Sequence, residues 1–176
     1  SWFMYCGALT LGALLKESGA ALWLAQSFLK ILSAIGMSSG LGLWIGMSSL
    51  SGLMTNFMSD AGTTALLGPI VVPMGIMTGV EGEPWAVGLA VAFATSFAHF
   101  LIVGTPNPAI VYGLGVYPDT GEKMIHPMDF LKYGFVLFIL SMVVVWIIGF
   151  IGMYQIVGFP EHILETARNV MESTGN

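Results

Sequence analysis

The chain has 176 residues, of which 56% are hydrophobic and 9% are Asp, Glu, Lys or Arg, and its formal net charge is −5. A soluble domain carries about a quarter charged residues, so this composition excludes a soluble enzyme, a nucleic-acid-binding protein and a disordered tail, and predicts an all-α polytopic membrane protein. One cysteine excludes a disulfide framework and a Cys-based zinc site, and five basic residues form no polybasic patch.

Residues 1–32 are predicted to form the end of a transmembrane helix followed by an arm helix. The chain opens on an apolar segment without an initiator Met or a basic leader region, which predicts that it begins inside a larger protein. Further on, apolar residues recur at helical spacing opposite a polar stripe: Ala21, Leu24, Ala25, Phe28 and Leu32. This pattern is typical of a helix in the membrane interface, and a connecting helix packed on protein is an equal alternative.

Residues 33–80 are predicted to form a helical hairpin with its tip at residues 59–62. The uncharged stretch 31–59 is long enough to cross about 30 Å of hydrocarbon, and its many small and hydroxyl residues indicate burial among other helices. Asp60 interrupts it, and residues 61–80 are uncharged again. The pattern alone favours a plain crossing with Asp60 in water, and a re-entrant hairpin with Asp60 near mid-depth is the alternative.

Residues 81–118 are predicted to form a broken transmembrane helix. No Asp, Glu, Lys or Arg lies between positions 84 and 118, and one straight helix of that length would measure about 50 Å, too long for a bilayer. Prolines lack an amide donor and clash with the preceding turn. The run 105–108, Thr-Pro-Asn-Pro, is therefore the predicted irregular break between helices at 84–103 and 109–115, with a surface turn as the alternative.

Residues 119–160 are predicted to form a loop and the last transmembrane helix, and residues 161–176 a short surface helix. The uncharged run 133–160 is the clearest full span. His99 lies inside the predicted helix 84–103. An ionisable group within a membrane span is a functional candidate, and a neutral, packed histidine bonded to a hydroxyl is the alternative.

Two segments combine polar groups with a break in a helix: the hairpin tip and the run 105–108. Irregular backbone at membrane depth is tolerated only when it is buried in protein or lines an aqueous cavity. Free amides at a helix N-terminus suit an anion, and carbonyl oxygens at a C-terminus suit Na⁺. Asp60 is therefore a candidate cation ligand, and the alternatives are a solvated turn carboxylate or an N-cap for the second hairpin arm.

Two motifs resemble those of the divalent anion/sodium symporter family. The stretch 55–70, TNFMSDAGTTALLGPI, resembles the family's second Ser-Asn-Thr hairpin, and the stretch 104–113, GTPNPAIVYG, resembles its broken-helix motif. Residues 7–25 resemble the helix and arm before that hairpin, and residues 130–134 resemble the entry to the last helix. The matching order covers nearly the whole chain.

The resemblance implies a fold, an activity and a set of site residues. The chain would be the second inverted repeat of an elevator-type transporter, with a re-entrant hairpin and a broken helix. Substrate-binding positions would be Ser59, Asp60, Ala61, Thr63, Thr105 and Pro106. Sodium-binding positions would be Thr55, Met58, Asp60, Gly104 and Asn107. The carrier would act as a homodimer in the plasma (inner) membrane, with a missing N-terminal half, Na⁺ as coupling ion and no other cofactor.

The chain departs from the family pattern at three places. Asp60 stands where the family has Asn, Ala61 stands where it has Thr, and the Pro-Asn order is reversed at Asn107-Pro108. An ionised carboxylate only accepts hydrogen bonds, whereas an amide also donates. Asp60 would repel a dianion unless a cation neutralises it or it is protonated, so we expect a changed substrate, a stricter cation requirement or proton coupling.

The predicted function is that of the C-terminal half of a secondary active symporter for small divalent anions, such as di- or tricarboxylates or sulfate, coupled to Na⁺ or H⁺. No Ser-His-Asp set, HExxH motif or glycine-rich phosphate loop is present, so we do not expect an enzyme. The alternatives are a membrane structural or assembly subunit, a truncated carrier half without transport activity of its own, and a channel-like conduit.

Overall fold

The computed structural model describes residues 6–7, 10, 13–15, 17–103, 105–156, 165 and 169. The helices of this part are α1 (Ala20–Ala34), α2 (Gly40–Thr55), α3 (Asp60–Met77), α4 (Glu83–Ala94), α5 (Pro106–Leu114) and α6 (Pro127–Ile156). Helix α6 widens to π-helical hydrogen bonding over Val145–Met153. Apart from one isolated bridge between Val116 and Lys123, the described residues contain no β-structure. The predicted all-α class is confirmed for this part of the chain.

Helix α1 packs on the protein along one face and presents apolar side chains on the other. Ala21 and Ala25 are buried and belong to the main hydrophobic core, which α2, α3 and α4 complete. Trp23, Ile31 and Ile35 are exposed. The small buried residues allow α1 to approach the core closely, and the bulky ones face outward.

Helices α2 and α4 run side by side in the same direction. At their first residues, Glu83 Oε1 accepts a hydrogen bond of 2.7 Å from the Gly40 amide. At their last turns, Thr55 Oγ1 lies 2.7 Å from the carbonyl oxygen of Thr95. Since the starts lie together and the ends lie together, the two helices are parallel.

Helix α3 returns in the opposite direction, so α2 and α3 form a hairpin. A Cβ atom added at Gly75 would lie 2.5 Å from Pro84 Cα, which places the end of α3 against the start of α4. Only residues 56–59 separate α2 from α3. We call residues 55–63 the hairpin tip, and the end near Gly40, Gly75 and Glu83 the hairpin base.

The hairpin base is fixed by a buried carboxylate. Glu83 is only 2% exposed, and its Oε1 accepts from the Gly40 amide and, at 3.1 Å, from Trp44 Nε1. The first amides of a helix have no partner within it, and the side chain of Ser39, which precedes α2, makes no capping bond. Glu83 therefore caps α2 from the neighbouring helix.

Helix α4 ends at Ala94, and residues 95–103 are not helical. The sequence-based prediction of one helix over 84–103 is therefore wrong, and His99 lies outside a helix. The prediction of irregular backbone at 105–108 is wrong for its last three residues, because α5 begins at Pro106. Proline is tolerated in a first helical turn, where its missing amide would have had no partner. We call residues 95–103 the break segment.

Helix α6 covers the break segment. Phe138 and Met142 are buried with Phe100 in a second apolar cluster. A Cβ atom at Gly134 would overlap the carbonyl oxygen of His99 and the Cα of Phe100, so only glycine allows this approach. The opposite side of α6 exposes a long row of apolar side chains: Val136, Leu137, Ile139, Leu140, Val144, Ile147, Ile148 and Ile151.

Two of the described helices have the length and composition to cross a membrane, α3 with 18 residues and α6 with 30 residues. Their mean hydropathies are 1.3 and 2.8. Of the predicted surface helix 161–176, the structure describes residues 165 and 169 alone, and both are helical. Gly104 also lies outside the described residues.

Candidate functional site

The hairpin tip contains the start of helix α3. Ser59 is the N-cap of α3, since its backbone is extended and its Oγ accepts a 3.1 Å hydrogen bond from the Gly62 amide. Asp60 is the first residue of the helix. The alternative of Asp60 as N-cap is therefore wrong, and its carboxylate instead lies in the first turn, where the helix dipole favours negative charge.

The tip contacts the break segment directly. Thr55 Oγ1 lies 2.7 Å from the Thr95 carbonyl oxygen, and the Asn56 side chain bonds the backbone of Phe97 and Phe100. Thr55 and Asn56 are both fully buried. The two discontinuities of the chain, one at the end of α2 and one at the end of α4, thus meet inside the protein.

Three oxygens at this junction share a single hydrogen. Thr55 Oγ1 lies 2.7 Å from Asp60 Oδ1 and also 2.7 Å from the Thr95 carbonyl oxygen. A hydroxyl has one hydrogen, and an ionised carboxylate and a carbonyl only accept. The Thr55 hydroxyl can therefore donate to one neighbour at a time, which leaves an excess of acceptor oxygens. Such an excess favours a bound cation.

Thr63 adds a buried polar atom without a partner. Its side chain is 0% exposed, and its Oγ1 makes no hydrogen bond within the described part of the chain. Positions 60 and 63 lie on one face of α3 because they are three residues apart. Buried polar groups are nearly always bonded, so an orphan indicates an ion, a ligand or a water that completes it.

The remaining predicted residues of the tip are placed as follows. Met58 is half-buried and Ala61 lies in the first turn of α3, where it contributes a backbone amide and no hydroxyl. The first amides of a helix have no backbone partner within it and can bind an anion. Here the Gly62 amide already donates to Ser59 Oγ, which leaves the amides of Asp60 and Ala61 for a ligand. Ser59, Asp60, Ala61 and Thr63 thus share one helix start.

Thr105, Pro106 and Asn107 form a separate helix start. Thr105 is buried and precedes α5 in an extended conformation, whereas Pro106 and Asn107 are exposed. Among the residues that the structure describes, no hydrogen bond joins this run to the hairpin tip. The described hydrogen bonds therefore join the tip to the break segment.

Sequence reasoning missed the oxygens and amides of the break segment. Neither proline, glycine nor charge marks the end of α4 at Ala94, and Thr95-Ser96 is the only local signal, since hydroxyl side chains compete for backbone hydrogen bonds. Thr95 Oγ1 does donate to the Ala92 carbonyl at 2.7 Å. Asn56, which bonds the break segment, lies within the motif 55–70, and nothing in the sequence distinguishes its role from that of its neighbours.

His99 has the environment of a packed histidine. Its Nε2 lies 3.5 Å from Ser141 Oγ of α6, and its ring lies 5.8 Å from that of Phe97. Among the described residues, no group of three His, Cys, Asp or Glu side chains could hold a metal ion. The tip instead offers one carboxylate, hydroxyls and a carbonyl oxygen, oxygen ligands that suit an alkali cation.

Comparisons with known proteins show the family of this chain. Residues 1–157 match the family model described as the sodium:sulfate symporter transmembrane region. An uncharacterized transporter of Methanocaldococcus jannaschii is 32% identical over 142 residues, which cover 81% of this chain and 29% of that protein. No solved structure gives a significant match.

Two further relatives have names that state a substrate. The sodium-dependent dicarboxylate transporter SdcS of Staphylococcus saprophyticus is 28% identical over 155 residues, covering 88% of this chain and 27% of that protein. The sodium-dependent high-affinity dicarboxylate transporter 3 of Caenorhabditis elegans is 35% identical over 114 residues, covering 62% of this chain and 18% of that protein. The chain spans less than a third of the length of these relatives.

The family model covers most of the chain, and the matched residues include the hairpin and the break segment. The family is one of integral membrane transporters. The chain belongs to the divalent anion/sodium symporter family.

Proposed function

We propose that this chain is the C-terminal half of a secondary active symporter that carries a small divalent anion with Na⁺. The observation that carries the proposal is the oxygen-rich junction of Thr55, Asp60 and Thr95, where acceptors outnumber hydrogens. The relatives named as sodium-dependent dicarboxylate transporters support the choice of ion and of substrate class.

The helix lengths support a site within the membrane. Helix α2 has 16 residues and α4 has 12 residues, so they measure about 24 Å and 18 Å at 1.5 Å per residue. Both are shorter than the roughly 30 Å of bilayer hydrocarbon. A re-entrant hairpin and a helix broken at mid-depth fit these lengths, and paired discontinuous helices are how many transporters build ion sites.

The charge of Asp60 makes cation and anion binding interdependent. The first-turn amides of α3 attract an anion, but an ionised Asp60 in the same turn repels it. A Na⁺ held by Asp60, Thr55 and the Thr95 carbonyl cancels that repulsion. Binding of one ion then strengthens binding of the other, which is a coupling free energy between two sites.

The rest of the carrier is proposed from the family and from the relatives' lengths. The chain spans 27% of the Staphylococcus saprophyticus transporter, so an N-terminal half with its own hairpin would complete the site. We propose a homodimer in the plasma (inner) membrane whose transport domain moves like an elevator. Thr105 and Pro106, at the start of α5, would complete the pocket, and Gly104 is assigned to it from the family resemblance alone.

Uptake measured with the complete protein tests this function. The purified carrier is placed in liposomes and given labelled succinate, citrate or sulfate, with an inward gradient of NaCl or of KCl. We expect accumulation of one divalent anion in NaCl alone.

Equal uptake in both salts, or equilibration without accumulation, would contradict symport and favour a channel. No flux at all would favour an assembly subunit. Accumulation driven by a proton gradient instead of NaCl would assign H⁺ as the coupling ion.

A further inference from the structure

The side chain of Asn56 makes three hydrogen bonds, all of them to backbone groups. It is 0% exposed. Its Nδ2 donates to the Gly52 carbonyl at 2.7 Å and to the Phe97 carbonyl at 3.3 Å, and its Oδ1 accepts from the Phe100 amide at 3.1 Å. A carboxamide offers two N–H donors and one carbonyl, and each of these groups has a partner here.

Two of these partners lie in the break segment. Phe97 and Phe100 have left the helical ladder of α4, and buried backbone groups outside such a ladder need other partners. Asn56 supplies the partner of the Phe100 amide and a second partner to the Phe97 carbonyl, which also accepts from the His99 amide at 3.0 Å. Together with the contact between Thr55 and the Thr95 carbonyl, this bonding attaches the break segment to the hairpin tip at three residues.

Helix α6 closes the other side of the break segment. A Cβ atom at Gly134 would overlap the His99 carbonyl oxygen and the Phe100 Cα. Phe100 also packs edge-on against Phe138, with ring centroids 5.4 Å apart. The break segment is thus hydrogen-bonded to Asn56 and also packed tightly against α6.

We propose that Asn56 is a positioning residue for the cation site. Its side chain fixes the break segment against the hairpin tip, and so keeps the Thr95 carbonyl oxygen beside Thr55 and Asp60. The role rests on the function proposed above, because it assumes that these oxygens bind the coupling cation. Asn56 itself bonds protein backbone and does not need to touch the ion.

Paired variants of the complete carrier test this role. Asn56→Ala removes the hydrogen bonds between the side chain of residue 56 and the break segment. Ser51→Ala is the matched control, because Ser51 is also fully buried and donates from α2 to the Val91 carbonyl of α4 at 2.9 Å, farther from the tip. If the alanine variant is poorly expressed, Asn56→Ser replaces it, since a serine hydroxyl can still bond within α2 but is too short to hold the break segment.

Two measurements are made on each variant: the NaCl concentration for half-maximal uptake, and hydrogen exchange of the peptide that contains residues 97–100. We expect faster hydrogen exchange in the Asn56 variant. We also expect the half-saturating sodium concentration to rise about tenfold, because buried hydrogen bonds that position the site are lost. The Ser51 variant should keep half-saturating sodium within about twofold of the wild type.

The outcomes separate this role from the function on which it rests. An unchanged rate of hydrogen exchange for residues 97–100 in the Asn56 variant would show that Asn56 does not fix the break segment. Faster hydrogen exchange with an unchanged half-saturating sodium concentration would overturn the positioning role, because the Asn56 bonds would then only stabilise the fold. An equal rise in the half-saturating sodium concentration in the Ser51 variant would overturn it as well. Absence of sodium-dependent uptake in the wild type would overturn the proposed function and the positioning role together, whatever the exchange shows.

Discussion

At the scale of single residues, Asp60 distinguishes this chain from the pattern that it resembles. A carboxylate in the first turn of α3 is stabilised by the helix dipole, yet it lies 2.7 Å from the Thr55 hydroxyl, which also contacts the Thr95 carbonyl. The sequence located this carboxylate at the tip, because Asp60 is the one charge between residues 31 and 80. It could not identify the Thr95 carbonyl, since backbone atoms leave no signature in a sequence.

Replacing Asp60 by Asn tests the electrostatic coupling. The neutral amide holds a cation less strongly and repels an anion less. We therefore expect Asp60→Asn to raise half-saturating sodium by about tenfold or more, the loss of one charge-assisted contact, while the anion binds more tightly at low sodium. Ion-dependent uptake kinetics measure both. Glu81→Gln, which removes one charge from an exposed loop residue, is the control. Equal effects in the two variants would show that Asp60 acts only through the net charge of the protein and not as a ligand.

Thr63 gives a prediction that separates a ligand from a packing defect. Thr63→Val keeps the shape of the side chain and removes the orphan hydroxyl. Without sodium and substrate, thermal stability in detergent should stay the same or rise, because an unpaired buried hydroxyl is unfavourable. The additional stabilisation that NaCl and substrate confer on the wild type should shrink in this variant. A full ligand-induced shift in Thr63→Val would remove Thr63 from the site.

At the scale of helices, the sequence predicted the hairpin better than the break segment. Charge and small residues mark the hairpin, and Asp60 does begin its second arm. The end of α4 at Ala94 is weakly marked, because residues 94–103 contain no Gly, Pro, Asp, Glu, Lys or Arg, and Thr95-Ser96 is the only local signal. The helix stops there since groups on another element, Thr55 and Asn56, bond the backbone that would otherwise continue it. Such a tertiary effect overrides local propensity.

The hairpin base allows a test of how much the Glu83 cap stabilises the fold. Glu83 caps α2 through the Gly40 amide and Trp44 Nε1. We expect Glu83→Ala to destabilise the fold by about 1–3 kcal/mol, since it leaves a buried amide and an indole N–H without partners. Glu83→Gln keeps an acceptor oxygen and should cost less. Thermal unfolding in detergent ranks the variants, and equal stability of Glu83→Ala and the wild type would show that water replaces the cap.

At the scale of the whole molecule, the described residues leave large apolar surfaces open. The outward row of α6 and the exposed side chains of α5, such as Ile110 and Leu114, require lipid or other protein. The relatives are more than three times as long as the matched segment. Composition predicted the membrane class from the sequence alone, whereas the partner surfaces follow only from the packing.

A cryo-EM map of the complete carrier in sodium and in potassium tests the central claim most directly. The account predicts a cation density in sodium between Thr55 Oγ1, Asp60 Oδ1 and the Thr95 carbonyl oxygen, with the hairpin tip midway through the lipid or detergent belt, and weaker density in potassium. A tip outside the belt in bulk water, or no density between these three oxygens in sodium, would contradict it.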